Sequence, residues 1–293
     1  MTRSFVPSLL ALCLTAIRLD AQPAMQVPAV TEAGAGAETF VLITGMVGGV
    51  AGYRRLEALL VARYYRVIVV DPYELSIDST DVSFAAMARR VNVVLEERGV
   101  SHARVVAHSQ GAGVALRLAA FSPERVAALY FLDAGAQAVN RGPTLSASLR
   151  LVPLITRLPG GRCLIRDRFV AALRRSTGRQ QWLDAETQRA YAEPMLSSID
   201  RVIAMAFRLA RAEEPESLTT VLERVRAPLT VVLGAAPHDA DVGPEEIAAL
   251  APLGPRVRIE RMAGVGHFPH EEAPNELLEL LAPQRHLAAE IPR

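Results

Sequence analysis

One serine stands in a setting typical of an enzyme nucleophile. Ser109 is the centre of the pentapeptide AHSQG (residues 107–111), which follows a strand-like run and opens a helix-like run. Small residues two positions before and after a serine suit a tight strand-to-helix turn, because neighbouring segments press against them while the hydroxyl stays exposed. The start of the helix also favours negative charge beside the serine. A serine that only caps a helix gives the same local pattern, so the pentapeptide needs partners.

A histidine that could activate this serine follows the last strand-like run. His267 stands in the glycine-flanked stretch AGVGHFP, residues 263–269. Small neighbours leave the imidazole free to act first as a general base and then as a general acid. A loop histidine can equally be a solvated turn residue, so its role depends on Ser109.

Three aspartates could hold the imidazole in the correct orientation. Asp239 and Asp241 lie in the loop after the fifth strand-like run, and Asp133 follows the fourth. The chain order serine, aspartate, histidine holds for each of them. The residues alone leave the choice open.

A glycine-rich stretch, TGMVGG (residues 44–49), follows the first strand-like run. Its backbone could turn the N–H of Met46 toward a substrate carbonyl, opposite the N–H of Gln110, and so form an oxyanion hole. Such a loop could also cradle phosphate, but it lacks the G-x-G-x-x-G spacing and a Gly-Lys-Ser/Thr sequence.

The composition is that of a globular protein without an electrostatic preference. The chain has 293 residues, 51% hydrophobic and 22% charged, with a formal net charge of +1. This apolar fraction excludes a disordered chain, and the balanced charge gives no footprint for nucleic acid. The length fits one large domain or two small ones.

Strand-like and helix-like segments alternate along the chain and predict an α/β fold with a mainly parallel sheet covered on both faces. We expect six strands, at 39–43, 66–70, 103–108, 126–132, 228–234 and 257–262, and helices at 53–64, 83–98, 111–121 and 275–281. Residues 140–226 show only helical pieces, which predicts a lid inserted between core parts 39–139 and 227–293.

The N-terminus predicts export. Residues 1–24 combine an early arginine with a short apolar run, as a signal peptide does, and residues 25–38 read as a linker. The destination would be the periplasm or the extracellular space, with lipidation at Cys13 as an alternative. If the segment is an ordinary apolar N-terminus, the protein is cytoplasmic.

Together these motifs resemble the α/β-hydrolase superfamily, in particular its lid-bearing bacterial esterases and lipases, over residues 39–281. The most specific parts are AHSQG with FSPER (residues 121–125) and GHFPHEEAP (residues 266–274). The resemblance implies that Ser109 is the nucleophile and His267 the base. It favours Asp239 as the acid, because DADVGPE (residues 239–245) fits the family pattern Asp-x-x-Val-x-Pro-Glu, with Asp241 and Asp133 as alternatives.

The sequence departs from the family in several places. Ala107 replaces the first glycine of the elbow, and Thr44 stands where a histidine is usual. The two antiparallel strands that normally open the sheet have little room, so we expect them to be absent or reduced to one edge strand near residues 25–30.

We therefore expect a serine hydrolase that cleaves a carboxylic ester, with no metal and no cofactor. Its partner would be a hydrophobic small-molecule ester, without nucleic acid or stable membrane insertion, and the oligomeric state is not readable. Alternatives are carbon–carbon cleavage, lactone opening or perhydrolysis by the same residues, or a non-catalytic binding protein. His108 is expected to orient the turn that carries Ser109, and Cys163 is expected to be buried. The remaining histidines are interpreted as loop or surface residues: His102, His238, His270 and His286.

Overall fold

The strand-like runs of the sequence form neighbouring strands of one sheet. The computed structural model describes residues 28–74 and 81–283. The strands are β1 (Ala29–Ala33), β2 (Thr39–Ile43), β3 (Arg66–Asp71), β4 (Ala103–His108), β5 (Val126–Leu132), β6 (Leu229–Gly234) and β7 (Val257–Met262). The predicted signal peptide lies outside the described residues.

The sheet has the order β1-β3-β2-β4-β5-β6-β7. Strands β2 to β7 pair in parallel. At one edge of the sheet β1 pairs antiparallel with β3, from Ala29 opposite Asp71 to Ala33 opposite Val67. Residues 29–33 of the predicted linker 25–38 therefore form a strand, and for these residues the prediction of a linker is wrong. The alternative prediction of one edge strand near residues 25–30 agrees better with β1. The reason is that β3 has backbone N–H and C=O groups on the side away from β2. A short, half-exposed strand can pair with these groups without an apolar pattern of its own.

Helices cover both faces of the sheet because the central strands are apolar at nearly every position. They are α1 (Arg54–Ala62), α2 (Phe84–Glu97), α3 (Gly111–Phe121), α4 (Ala136–Asn140), α5 (Val152–Thr156), α6 (Gly161–Arg175), α7 (Ala185–Ser197), α8 (Ile199–Leu209), α9 (Leu218–Arg224), α10 (Pro244–Ala248), α11 (Pro269–Glu272) and α12 (Pro274–Leu281). One core cluster joins α2, α3 and α9 to one face, and a second joins α1 and α12 to the other. Along each central strand, successive side chains point alternately to these two clusters.

Between β5 and β6, the described residues 140–226 contain only helices, turns and irregular backbone. We call this part of the chain the helical insertion. Its end is fixed to the core by Glu214, which accepts hydrogen bonds from the N–H groups of Phe84 and Ala85 and pairs with the buried Arg117 (Oε2 to Nε, 2.6 Å). No helix among the described residues has the length and apolar composition needed to span a bilayer.

Candidate active site

Ser109 lies in a sharp turn between β4 and α3. Its φ is +51°, in the left-handed region, and its N–H donates to the carbonyl of Leu132 at the end of β5 (3.0 Å). Gly111 passes so close to the glycine-rich stretch that an added Cβ would lie 2.4 Å from the carbonyl oxygen of Thr44. A side chain two residues after the serine would therefore push the two segments apart, as the small-residue pattern predicts. The turn presents Ser109 at the carboxyl edge of the sheet.

The donors expected for an oxyanion hole are free. Within residues 28–74 and 81–283, neither the N–H of Met46 nor that of Gln110 has a hydrogen-bond acceptor, and the Ser109 hydroxyl has no partner either. Gln110 follows Ser109 in the chain, and Gly45, the residue before Met46, passes close to the serine, since an added Cβ there would lie 3.4 Å from the Cβ of Ser109. The structure thus leaves the Ser109 hydroxyl and both N–H groups available to a ligand.

His267 comes to the same edge of the sheet from the loop after β7. Its Nδ1 lies 2.7 Å from Oδ2 of Asp133. A carboxylate only accepts, so Nδ1 carries the proton and Nε2 is left with a lone pair, as a general base requires. The backbone is held on two sides, by its own N–H to the carbonyl of Ser176 (2.8 Å) and by its carbonyl, which accepts from His108 Nε2 (2.8 Å).

The carboxylate of Asp133 is buried, and both of its oxygens accept hydrogen bonds. Oδ1 accepts the N–H of Gly234 (3.0 Å), and Oδ2 accepts from both His267 and His238 (2.7 and 2.8 Å). Burial would raise the pKa of this carboxyl, but the hydrogen bonds and the nearby imidazoles outweigh it, so the pKa lies below its ordinary value. Asp133 is therefore an ionised orienting group for His267.

The acid that the sequence pattern favoured lies elsewhere. Asp239 pairs with Arg175 of α6 (Oδ2 to Nε, 2.8 Å), and its side chain is 55% exposed. Asp241 is exposed as well. The physical reason is that His238 occupies the space beside Asp133, and the chain beyond it runs outward. Of the three candidate aspartates, the structure brings only Asp133 to His267.

His238 is the site residue that sequence reasoning missed. The expectation that it is a loop or surface residue is wrong, because its side chain is 0% exposed and its Nδ1 lies 2.7 Å from the carbonyl oxygen of Ala236. Burial alone would lower its pKa, but the hydrogen bonds to Asp133 and Ala236 raise the pKa to about 9. Its position after β6, at the edge where Asp133 ends β5, was the available signal.

Two further expectations about side chains are corrected. His270 is buried at 3% exposure, not a surface residue, since it lies against the ring of Tyr53 (centroids 4.7 Å apart). Cys163 is exposed, not buried, because it lies on an outward face of α6. His108 packs between His267 and His270, as expected of an orienting residue.

Asp133, His238 and His267 are also close enough to be considered as metal ligands, since one ligand atom of each lies within 4.8 Å of the others. Both imidazole nitrogens, however, lie at hydrogen-bond distance from the same carboxylate oxygen. Zinc ligands at about 2.0–2.2 Å from an ion would stand further apart from one another than this. We interpret the cluster as hydrogen-bonded.

The loop that carries His267, residues 263–269, is fastened by one carboxylate. Glu272 accepts the N–H groups of Gly266 and Phe268 within the loop (2.9 and 3.1 Å). It also accepts those of Gly178 and Arg179 from the helical insertion (2.8 and 2.7 Å). The position of the histidine therefore depends on the insertion as well as on the sheet.

Aromatic side chains of the insertion cover the site loops. Trp182 and Tyr191 pack against Phe268, the residue after the histidine. The Tyr191 ring also lies over the glycine-rich stretch, where a Cβ on Gly48 would come within 2.8 Å of it. The Tyr191 hydroxyl donates to the buried Glu271 (2.9 Å), which fixes the ring.

Comparison with known proteins identifies the family of this chain. The sequence pattern of the alpha/beta hydrolase family matches residues 40–280. RutD of Azorhizobium caulinodans, named as a carbamate hydrolase, is 33% identical over 35% of this chain and 40% of its own length, and the chain thus spans less than half of that relative. The mouse sn-1-specific diacylglycerol lipase ABHD11 is 22% identical over 82% of this chain and 78% of that protein.

A solved structure shows the same fold. A thermophilic esterase from Thermogutta terrifontis superposes with a TM-score of 0.65 at 22% identity, covering 86% of this chain and 90% of the other. The predicted α/β-hydrolase fold is confirmed. By the family match over most of its length and by this fold, the chain belongs to the alpha/beta hydrolase family.

Proposed function

We propose that this hydrolase cleaves a carboxylic ester with Ser109 as nucleophile, His267 as base and Asp133 as the orienting acid. The observation that carries the proposal is the 2.7 Å contact between His267 Nδ1 and Asp133, at the sheet edge where Ser109 stands in a left-handed turn. Three such groups, supplied by three different strand ends, are the arrangement that nucleophilic acyl transfer requires.

The reaction follows from the free atoms of the site. Ser109 Oγ attacks the ester carbonyl carbon while its proton passes to Nε2 of His267. The same proton then goes to the departing alcohol as the carbon–oxygen bond breaks, which leaves an acyl group on Ser109. Water attacks this acyl-enzyme with His267 again as base, and the acid product leaves as Ser109 regains its proton.

Met46 and Gln110 supply the oxyanion hole in this proposal. Their N–H groups lack acceptors among the described residues, so they can bind the charge that develops on the carbonyl oxygen without breaking an existing bond. Removal of one such donor costs about 10²–10³ in rate in enzymes of this type.

The substrate that the site favours is a hydrophobic small molecule. Phe268, Trp182 and Tyr191 form an apolar cluster beside His267, and the helical insertion that carries two of them acts as a lid. The similarity to a diacylglycerol lipase and to an esterase supports an ester as the substrate. Export through residues 1–24 belongs to the proposal as well.

A carbamate is the second candidate substrate, because relatives named as carbamate hydrolases match this chain. A carbamate carbonyl can be attacked by the same serine, and the difference lies in the group that leaves. The geometry of the triad does not distinguish the two, so the test includes both.

The experiment is labelling with a fluorophosphonate together with turnover of p-nitrophenyl acyl esters of increasing chain length and of p-nitrophenyl carbamates. We expect Ser109→Ala to abolish labelling and turnover together, whereas Ser101→Ala, at an exposed serine near the opposite end of β4, leaves both unchanged. If carbamates are turned over faster than esters, the carbamate becomes the proposed substrate class in place of the ester. A folded wild-type protein that neither labels nor turns over any substrate would contradict the proposal.

A further inference from the structure

His238 faces a hydrogen-bond acceptor with each of its ring nitrogens. Nε2 lies 2.8 Å from Oδ2 of Asp133, and Nδ1 lies 2.7 Å from the carbonyl oxygen of Ala236. The side chain is fully enclosed, so neither nitrogen can exchange its partner for water. A neutral imidazole carries one N–H only and would direct a lone pair at one of these oxygens.

The proton count therefore makes His238 an imidazolium. The groups that face it are Asp133 at the end of β5, His267 in the loop after β7 (ring centroids 6.0 Å apart) and Asp241 in its own loop. Both carboxylates favour the cation, and the pKa of His238 is raised to about 9 in agreement with the geometry. The cation thus persists through neutral pH.

This cation acts on the same carboxylate oxygen as His267. Oδ2 of Asp133 accepts from both imidazoles, while Oδ1 is taken by the N–H of Gly234. A triad acid with one histidine presents a full negative charge to that histidine and stabilises its protonated form. Here a positive charge offsets the carboxylate, so the stabilisation of protonated His267 is smaller.

The other titratable groups that the described residues place around His267 are His108, His270 and Glu272, whose carboxylate accepts the N–H groups of Gly266 and Phe268. His267 also faces His108 and His270, and burial keeps both of these uncharged by lowering the pKa of His108 well below its ordinary value and that of His270 to about 3. From the helical insertion, the backbone carbonyl of Ser176 accepts the N–H of His267.

We propose that His238, held as a cation against Asp133, is a positioning residue that keeps His267 unprotonated, and thus able to act as base, at lower pH than Asp133 alone would allow. The inference rests on the proposed function, in which Asp133 and His267 belong to the catalytic triad. It implies an enzyme that retains activity in mildly acidic surroundings.

The test is the pH profile of kcat/KM, measured with the best ester for wild type and variants. In His238→Gln a neutral side chain can still donate to Asp133, and we expect the acidic limb to move up by about one pH unit, since a unit charge about 6 Å away is removed. His238→Lys keeps the charge and should restore the limb to within a few tenths of a unit of wild type. His102→Gln, at an exposed histidine, is the matched control and should leave the profile unchanged.

The charge itself is read without turnover, from ¹⁵N-histidine NMR spectra. At pH 7.5 we expect the His238 signals to show both nitrogens protonated in wild type and in Ser109→Ala, and these signals to be absent in His238→Gln. If no substrate is turned over, the His267 resonance, assigned with His267→Gln, should titrate about one pH unit higher in His238→Gln than in wild type.

These readouts separate the two proposals. A doubly protonated His238 in a protein without ester or carbamate turnover contradicts the proposed function and leaves the charge assignment standing. A neutral His238 at pH 7.5, or an unmoved titration in a folded His238→Gln protein, overturns the inference even if esters are hydrolysed well.

Discussion

At the scale of single residues, Asp133 and Asp239 can be compared directly, one as the test and the other as its control. Both follow strands that end at the carboxyl edge of the sheet, but Asp133 is buried against His267 whereas Asp239 is exposed and pairs with Arg175. Any catalytic difference between them therefore reports the contact with His267 and not the general loss of a carboxylate.

The substitution Asp133→Asn should lower kcat by about 10³–10⁴, because an amide cannot hold His267 in the tautomer whose Nε2 is free. Asp239→Asn removes an exposed ion pair and should keep kcat within about twofold, with a stability change below about 1 kcal/mol. Steady-state kinetics on the two purified proteins, each checked for folding by circular dichroism, gives the answer. A large loss in Asp239→Asn with an unaffected Asp133→Asn would return the acid to the position that the sequence pattern favours.

The positions of Ser109 and His267 at the edge of the sheet could be predicted from sequence, whereas the aspartate that contacts His267 could not. The settings of Ser109 and His267 are local, since small residues around a turn and glycines around a loop can be read within a few positions. Which aspartate reaches His267 depends instead on how the loop after β6 is filled. His238 takes the space beside Asp133 and leaves Asp239 outside, and this is a three-dimensional property that the pattern Asp-x-x-Val-x-Pro-Glu does not contain.

At the scale of elements, the strands were predictable and the edge strand less so. The runs that form β2 to β6 are short, largely apolar and mostly buried, so their composition identifies them, whereas β7 at the other edge of the sheet is mostly exposed. All six predicted strands have ends within one residue of those observed. Strand β1 is half exposed and pairs on one side only, with β3. Its stability comes from the ladder offered by β3, which no local pattern can reveal.

The helical insertion and the loop of His267 meet on Glu272, and we expect this junction to control both folding and activity. Replacing the carboxylate by an amide in Glu272→Gln turns an NH₂ group toward backbone donors, so some of the four N–H groups lose their acceptor. We predict a loss of about 2–4 kcal/mol in the free energy of unfolding, measured with urea. The fluorophosphonate labelling rate should fall about tenfold or more, because His267 loses its fixed position.

Glu276→Gln is the control for this junction. Glu276 lies one turn further along, and its exposed carboxylate pairs with the Arg179 side chain instead of with backbone N–H groups. Its loss should cost less than about 1 kcal/mol and leave labelling unchanged. Equal effects of the two substitutions on labelling would mean that the loop of His267 does not depend on Glu272.

At the scale of the whole molecule, several ionisable groups near the carboxyl edge of the sheet are held in unusual states. His108 and His270 are buried and uncharged, whereas Asp71 and Glu271 are buried with pKa values that burial raises to about 6 and about 7. Groups of this kind couple the protonation state to the stability of the entire fold. Composition and a net charge of +1 gave no sign of this coupling, because it arises from burial and not from charge count.

His270 allows the coupling to be measured. Burial, and secondarily the charge of His267, lowers its pKa to about 3, whereas a histidine in an unfolded chain titrates near about 6.5. Between these values the unfolded state binds one proton more than the folded state. The stability that neutral His270 contributes is therefore complete above about pH 6.5 and is lost as the pH falls toward 3, at about 1.4 kcal/mol per pH unit.

We predict that His270→Phe, which keeps a ring against Tyr53, loses stability less steeply than wild type between about pH 5.5 and 4, by roughly that slope. Urea unfolding at a series of pH values measures it, and every other titrating group is common to both proteins. His102→Phe, at an exposed histidine, should retain the wild-type slope. Parallel curves for wild type and His270→Phe would show that His270 takes up its proton in the folded state as readily as in the unfolded chain.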